Sequence, residues 1–249
     1  MNFKLRVQKV LVTGGGSGIG LAIAKALIQE GCSVVICGRN LQKLEQARKD
    51  IGSQNLSCMQ WDIRDVSLIE EKINEAAALC GGYLDGLVNN AGIYLNASGW
   101  KPWNETEEEW DAVWDTNLKA QIFLLRKFAT YLHNNHRKGN ICCVSSIAGQ
   151  HHTMEGSYPA SKYALSRMIR SHAKHVLNFG IVINGVLPGV VATPINSWAH
   201  AGDNYNACAL GRIMSADEIA KVTLFLMTEE AAICCGEMLD ASGGFYSAF

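Results

Sequence analysis

The stretch KVLVTGGGSGIG, from Lys9 to Gly20, joins a short apolar run to a glycine-rich turn, and the helical pattern LAIAKALIQ follows directly. Because glycine permits positive φ and has no Cβ, such a turn lets backbone N–H groups and a helix amino terminus approach a phosphate group. The spacing of Gly14, Gly18 and Gly20 is GxxxGxG, which differs from GxGxxG and from the Gly-Lys-Ser/Thr ending of a nucleoside triphosphate loop. Taken alone, the turn predicts either a dinucleotide site or only a tight connection.

Apolar runs and helical patterns alternate along the rest of the chain. The further runs typical of buried strands are SVVICG, LSCMQWD, GLVNNAG, NICCVSS, VINGVLPG and EMLDAS. Helical periodicity covers residues 20–29, 41–50, 66–78, 105–132, 158–178 and 216–227. This order predicts an α/β fold, a single doubly wound domain whose seven-stranded parallel sheet is flanked by helices on both faces. Since no repeat or linker interrupts it, we expect one domain over 1–249, with a cofactor part at about 1–150 and a catalytic and substrate part at about 140–249.

Composition limits the classes of partner. With 22 Lys+Arg against 23 Asp+Glu, the formal charge of -1 argues against a nucleic-acid groove or a membrane-attracting basic face. No apolar run approaches the roughly 18 residues of a membrane span, and the amino terminus lacks a signal-type apolar core, so a cytoplasmic protein is expected. The nine cysteines form no CxxC pair and the histidines have no completing ligands, which predicts reduced thiols and no metal site.

Three further motifs follow predicted strands: NNAG at 89–92, Ser145 with Ser146, and YPASK at 158–162. The carboxyl ends of parallel strands converge on one crevice, so these motifs are expected to line a single site. Tyr158 and Lys162 are one helical turn apart, where an ammonium lowers the phenol pKa from about 10 and a serine hydroxyl can hold a substrate oxygen. A lone Tyr-x-x-x-Lys is usually a helix-surface pair, but in this company it predicts proton transfer to a carbonyl or alcohol.

From KVLVTGGGSGIG to LDASGG, the chain resembles the short-chain dehydrogenase/reductase family, with motifs that match in kind and order. The resemblance implies a Rossmann-type domain, a nicotinamide cofactor and hydride transfer between a carbonyl and an alcohol. It implies that Tyr158 is the general acid in reduction, that Lys162 lowers its pKa and binds the nicotinamide ribose, and that Ser146 binds the substrate oxygen. Asn117, in DTNLKA, matches the asparagine that holds a water in the family's proton relay. The spacing from Ser146 to Tyr158 is 12 where many members have 13, so Ser145 is an alternative.

The resemblance also implies the cofactor contacts. Asp62 matches the residue beside the adenine, Asn89 and Gly92 match the contacts at the end of the fourth strand, and PGVVATP matches the loop that holds the nicotinamide carboxamide. The full set of expected cofactor residues is Gly14, Gly16, Ser17, Gly18, Ile19, Gly20, Arg39, Asn40, Asp62, Ile63, Asn89, Ala91, Gly92, Tyr158, Lys162, Pro188, Gly189, Val191 and Thr193.

The end of the second strand, VVICGRN, predicts which cofactor is preferred. An acid here would hydrogen-bond the adenosine ribose and repel a 2′-phosphate, but Gly38 stands in its place and Arg39 follows. A guanidinium grips phosphate through paired, charge-assisted hydrogen bonds, so NADP(H) is preferred and NAD(H) is the alternative. Stacking on adenine or a solvated turn are the other readings of Arg39.

Substrate and assembly are less constrained by the sequence. The loops after the fourth, fifth and sixth strands are rich in aromatic residues, which suits an apolar or ring-shaped carbonyl or alcohol but also suits lids and subunit contacts. The candidate pocket residues are Tyr94, Ser146, His152, Met154 and Trp198. The long helical stretches 105–132 and 158–178 resemble the family's interface helices and predict a homotetramer, with a dimer as alternative. A catalytically silent nucleotide sensor and an isomerase or lyase of the same fold remain alternatives to an oxidoreductase.

Overall fold

The seven strands form one parallel sheet in the order β3-β2-β1-β4-β5-β6-β7, in a computed structural model that describes residues 4–95, 104–150 and 155–245. The strands are β1 Lys9–Thr13, β2 Ser33–Gly38, β3 Leu56–Gln60, β4 Gly86–Asn89, β5 Gly139–Val144, β6 Ile181–Pro188 and β7 Met238–Ala241. Every adjacent pair is parallel. The seven-stranded parallel α/β architecture predicted from the alternating pattern is confirmed.

In the described parts of the chain, seven α-helices connect the strands. They are α1 Gly18–Gln29, α2 Leu41–Ile51, α3 Ile69–Leu79, α4 Glu107–Trp114, α5 Gln121–Asn134, α6 Ser157–Val176 and α7 Ala216–Leu226. Among the described residues, no helix is long and apolar enough to cross a membrane. The helix predicted at 105–132 is in fact α4, a π-helical segment Asp115–Ala120 and α5, because the π segment preserves enough apolar periodicity to read as one helix.

Two cores cover the two faces of the sheet. Phe128 of α5 and Leu165 of α6 pack with Ile73 of α3 on one face. Ile23 of α1, Leu44 of α2 and Ile219 of α7 pack on the other. Because α1 and α2 lie on the face opposite α3, α5 and α6, the chain reverses its direction of winding between β1 and β4. The carboxyl ends of these two strands form the crevice in which such sheets bind ligands.

Candidate active site

A cavity of about 400 Å³ lies at the carboxyl ends of the strands, where β1 and β4 meet. It brings together predicted residues from seven separate stretches of the sequence. The predicted cofactor and catalytic residues that line it are Gly14, Ser17, Gly18, Ile19, Gly20, Arg39, Asp62, Ile63, Ala91, Gly92, Ser146, Tyr158, Lys162, Pro188, Gly189, Val191 and Thr193. One cavity therefore collects side chains that are far apart in the sequence.

The glycine turn forms the floor of the cavity beneath the start of α1. Gly18 has φ 54°, a conformation that favours glycine, and a Cβ on Gly20 would lie 2.5 Å from the carbonyl oxygen of Gly14. The N-cap residue of α1, Ser17, makes no side-chain cap, and the first turn of this helix contains no acid. The first N–H groups of a 12-residue helix therefore face the cavity without a competing anion, which fits the pyrophosphate of a dinucleotide.

Thr13 fixes the end of β4 beside this turn. Its hydroxyl oxygen accepts hydrogen bonds from the backbone N–H groups of Asn90 and Ala91, both at 2.9 Å. The side-chain amide of Asn90 donates to the carbonyl oxygen of Thr13 at 2.8 Å. These bonds hold the backbone of β4 at the cavity wall.

Three residues that the sequence predicted to contact the cofactor do not line the cavity, and they make other contacts instead. Asn89 is fully buried and donates to the carbonyl oxygen of Gln121 at 2.8 Å, because side chains alternate along a strand and Asn90 faces the cavity instead. Asn40 caps α2, its side-chain oxygen accepting from the N–H of Lys43 at 2.9 Å. Gly16 faces Leu44, where a Cβ would approach the side chain to 3.3 Å.

Gly38 and Arg39 lie at the other end of the cavity with Trp61 and Asp62. A Cβ on Gly38 would meet only the Leu44 side chain, at 3.8 Å, so the strand end is open. Within the described parts of the chain, the exposed Arg39 guanidinium has no ion-pair partner. Asp62 pairs instead with Arg64 at 2.6 Å, and this hydrogen bond lowers the pKa of Asp62. Arg39 also helps to lower the pKa of Asp62, but it forms no direct ion pair among the described residues and is able to meet an incoming anion.

Tyr158 and Ser146 meet at the inner end of the cavity. Burial raises the pKa of Tyr158, a hydrogen bond with the Ser146 side chain lowers it, and the nearby Tyr94 raises it. The rings of Tyr94 and Tyr158 lie edge to face with centroids 5.1 Å apart. The Ser146 hydroxyl oxygen also accepts from the N–H of Ala148 at 3.1 Å, which fixes its position. The pair places two hydroxyl groups at the cavity wall, where both can contact one substrate oxygen.

The neighbouring Ser145 has a different environment. Its hydroxyl donates to the carbonyl oxygen of Lys162 at 3.0 Å and lies 2.9 Å from the hydroxyl oxygen of Ser166. These contacts join the end of β5 to α6. Of the two serines considered in the sequence, Ser146 is the one whose side chain lowers the pKa of Tyr158.

Lys162 is 3% exposed and donates from Nζ to the carbonyl oxygen of Val144 at 3.1 Å. Burial lowers its pKa to about 8, and Cys143 opposes this shift. The expectation that Lys162 lowers the pKa of Tyr158 needs correction, since the pKa of Tyr158 is raised and Lys162 is not among the groups that shift it. The physical reason is that desolvation disfavours the charge on both groups, on the half-buried Tyr158 as well as on the buried Lys162. Nζ lies 6.0 Å from the centre of the Tyr158 ring.

Asn117 lies in the π-helical segment, behind the cavity wall. Its side-chain oxygen accepts from the N–H of Ile93 at 2.9 Å, and its nitrogen donates to the Ile93 carbonyl oxygen at 2.9 Å and to Ser161 Oγ at 3.3 Å. Ser161 in turn donates to the carbonyl oxygen of Tyr158 at 2.7 Å. The Asn117 side chain thus connects the end of β4 to the backbone of the predicted catalytic tyrosine, and is already engaged with protein groups.

The predicted substrate residues are only partly placed. Tyr94 lies against Tyr158, whereas Trp198 is 60% exposed, lies outside the cavity lining and has its ring centre 6.1 Å from that of Tyr205. His152 and Met154 lie outside the described residues. The lining residues that sequence reasoning missed include Trp61, Asn90, Ile93, Thr116, Ile195 and Asn196. Strand alternation was the available signal for Asn90, and Trp61 and Thr116 are neighbours of Asp62 and Asn117 in the stretches LSCMQWD and DTNLKA.

Comparisons with known proteins agree with this geometry. The family model for short chain dehydrogenase matches residues 8–203. The chain is 32% identical over 255 residues to the Escherichia coli K12 protein 3-oxoacyl-[acyl-carrier-protein] reductase FabG, covering 99% of each chain. The protein of the same description from Thermotoga maritima is 30% identical over 248 residues, with 97% of this chain and 98% of that one covered.

Solved structures show the same fold. One described as a short chain dehydrogenase/reductase family protein has a TM-score of 0.81 at 32% identity, covering 97% of this chain and 98% of the other. Another, described as ribose-5-phosphate isomerase from Brucella melitensis 16M, has a TM-score of 0.84 at 28% identity, covering 97% and 93%. The chain belongs to the short-chain dehydrogenase/reductase family, and it is an oxidoreductase of that family.

Proposed function

We propose that this protein is a single-domain enzyme that transfers a hydride between NADP(H) and a carbonyl or secondary alcohol. The observation that carries this proposal is that Ser146 and Tyr158 line the same cavity as an uncapped, glycine-rich helix start. The pair suits proton transfer at an oxygen, and the helix start suits a pyrophosphate.

In this proposal Tyr158 gives its phenolic proton to the carbonyl oxygen during reduction and accepts it back during oxidation. Ser146 donates a hydrogen bond that orients the same oxygen. The N–H of Ala148 holds the Ser146 hydroxyl in position. Lys162 holds a positive charge beside the site and contacts the nicotinamide ribose, and Asn117 holds the backbone of Tyr158 through Ser161. NADPH, when bound, supplies the hydride.

The preference for NADP(H) rests on the adenosine end of the cavity. Gly38 leaves room where an acid would repel a 2′-phosphate, and Arg39 has no competing ion pair among the described residues. The Asp62 carboxylate forms its ion pair with Arg64 and interacts with Arg39 only at longer range. The charge that remains available at this end is therefore positive, which favours a phosphate.

The substrate class is proposed from two features. The cavity is lined by the exposed apolar side chain of Ile195, and the Tyr94 ring packs edge to face against the ring of Tyr158. Two relatives are described as acting on 3-oxoacyl groups. A 3-oxoacyl thioester and an aryl ketone are therefore the first substrates to test.

We also propose a homotetramer, with a dimer as alternative. Trp110 on α4, Phe123 on α5 and Tyr163 on α6 are 43%, 42% and 58% exposed. Exposed aromatic rings on three consecutive helices are apolar surface that another copy of the chain could bury. Light scattering at micromolar concentration measures the mass directly, and a monomer that retains activity would contradict this proposal.

The test of function combines the native protein with NADPH or NADH and either acetoacetyl-coenzyme A or an aryl ketone. Consumption of NADPH with formation of the alcohol is expected, detected by absorbance and by mass spectrometry. Binding of NADPH without turnover across a broad carbonyl and alcohol panel would indicate a nucleotide sensor. Product without net change in nicotinamide absorbance would indicate an isomerase.

A further inference from the structure

The amino terminus of α6, the helix that carries Tyr158 and Lys162, has no cap of its own. Its N-cap residue is Gly156, with φ 101°, which has no side chain to accept from the first N–H groups. Pro159, the third residue of the helix, has no N–H to satisfy. The free N–H groups in the first turn of α6 therefore need acceptors from another part of the chain.

Glu105 supplies that cap from 52 positions earlier in the sequence. Its Oε2 accepts from the N–H of Ser157 at 2.9 Å, and the Ser157 hydroxyl donates to its Oε1. Ser157 is fully buried and immediately precedes Tyr158. The Glu105 carboxylate therefore accepts from both the N–H and the hydroxyl of Ser157, the residue next to the proposed proton donor, through charge-assisted hydrogen bonds.

Glu105 is itself held in place by α4. The next residue, Thr106, is the N-cap of α4, and its side chain accepts from the N–H of Glu109 at 3.2 Å. The Glu109 carboxylate accepts from the N–H of Thr106 at 3.0 Å, which completes a capping box. The backbone of Glu105 is thus fixed to one helix and its side chain to another.

The backbone of Tyr158 is then held on both sides. Ser157 is fixed by Glu105, and the carbonyl oxygen of Tyr158 accepts from Ser161, which is held by Asn117. We propose that Glu105 is a positioning residue for Tyr158, which fixes the phenol against the substrate oxygen by capping α6. This inference rests on the proposed function, because it requires Tyr158 to be the proton donor.

The experiment compares Glu105→Ala and Glu105→Gln with the native protein, using NADPH and acetoacetyl-coenzyme A or the aryl ketone, whichever is turned over. Glu105→Ala is expected to lower kcat by about 10- to 100-fold, because a small displacement of a catalytic group costs that much. The Kd for NADPH, measured by fluorescence titration, stays within about threefold, since the glycine turn and Arg39 are unaffected. Glu105→Gln keeps an acceptor for the Ser157 N–H and a partner for its hydroxyl, so it restores most of kcat.

The matched control is Glu218→Ala, which removes a capping-box carboxylate from α7, outside the cavity lining. It lowers the melting temperature but leaves kcat within about threefold, because surface caps affect stability more than chemistry. If Glu105→Ala does not fold, Ser157→Ala replaces it: the Ser157 N–H bond is kept, the hydroxyl bond is lost, and a smaller drop in kcat at unchanged Kd is expected.

The Tyr158→Phe background separates positioning from general destabilisation. If Glu105 acts through the phenol, adding Glu105→Ala to Tyr158→Phe causes little further loss of the residual rate. An equal further loss in both backgrounds, or an unchanged kcat in the folded Glu105→Ala or Ser157→Ala protein, would overturn the inference. Full activity of Tyr158→Phe alone, or no turnover by the native protein, would instead overturn the proposed function and the inference with it.

Discussion

The two ends of the cavity hold their charges in opposite surroundings. At the adenosine end, Arg39 is exposed and Asp62 is paired with Arg64 near the surface. At the inner end, Lys162 is 3% exposed and Tyr158 is half-buried. Burial lowers the pKa of Lys162 and raises the pKa of Tyr158, so it favours the neutral form of each group. Exposed charges attract a ligand but are screened by salt, whereas buried ones control protonation through desolvation. One end is therefore suited to choosing the cofactor and the other to moving a proton.

The largest expected effect is at the inner end. Tyr158→Phe removes the phenol that lies with Ser146 at the cavity, and general acid catalysis is worth about 10²- to 10⁴-fold, so kcat should fall by that amount. The Kd for NADPH should stay within a few-fold, because the glycine turn is intact. The control is Tyr163→Phe, which changes the exposed tyrosine on the same helix and should leave kcat unchanged. Near-normal turnover by Tyr158→Phe would rule out the proposed proton donor.

The second prediction concerns the cost of burying Lys162. Lys162→Met should weaken both NADPH binding and turnover, because one ammonium contacts ribose and charges the site. The folded pKa of Lys162 is about 8 against an ordinary 10.5, so between these values the unfolded chain binds more protons and the native protein gains stability as pH rises. This gain amounts to about 3 kcal/mol by pH 10.5 and is absent from Lys162→Met.

Denaturant titrations of both proteins at pH 7 and pH 10.5 measure this difference. The free energy of unfolding of the native protein should exceed that of Lys162→Met by more at pH 10.5 than at pH 7. Groups that titrate equally in both proteins, such as the buried cysteines, cancel in the comparison. A stability difference that is independent of pH would show that Lys162 is not desolvated to the extent described.

The third and smallest prediction concerns the adenosine end. Gly38→Asp/Arg39→Ile adds a repelling acid and removes the guanidinium, so the ratio of kcat/KM for NADPH to that for NADH should fall by at least about 10-fold. A hydrogen bond to a charged group contributes about 1.5–3 kcal/mol, which sets this size. The rate with saturating cofactor should change little, since the inner end is untouched.

Salt sharpens this prediction. Because Arg39 is exposed, raising the ionic strength should reduce the native preference for NADPH, and the double variant should be nearly insensitive. An NADH preference in the native protein would refute the assignment of NADP(H). An unchanged ratio in the double variant would show that the end of β2 does not choose the cofactor.

The sheet could be predicted from the sequence because buried parallel strands are continuous apolar runs, and each of the seven begins or ends within a residue or two of its pattern. The junction between α4 and α5 could not, because the π segment Asp115–Ala120 keeps a helix-like pattern. The sequence pattern also placed Glu105 at the start of the predicted helix, two residues before α4 begins. The capping box of Thr106 and Glu109 starts α4 at Glu107 and leaves Glu105 free to reach α6.

The members of the site could be predicted better than their contacts. The motif NNAG marked the right strand end, but the alternation of side chains decides that Asn90 lies at the cavity and Asn89 in the core. The spacing of Tyr158 and Lys162 predicted that they share a helix face. The direction in which the pKa of Tyr158 shifts depends on burial, which the spacing does not reveal. The cap that Glu105 provides spans 52 positions and has no local signal.

The most direct test of the central claim is to follow the hydride itself. The native protein is incubated with NADPH that carries deuterium at both positions of nicotinamide C4, together with a carbonyl substrate that it turns over, and the product is analysed by mass spectrometry. We predict an alcohol that carries one deuterium on the carbinol carbon, with an equivalent amount of NADP⁺ formed. A product without deuterium, or bound NADPH that is never consumed, would contradict hydride transfer at this site.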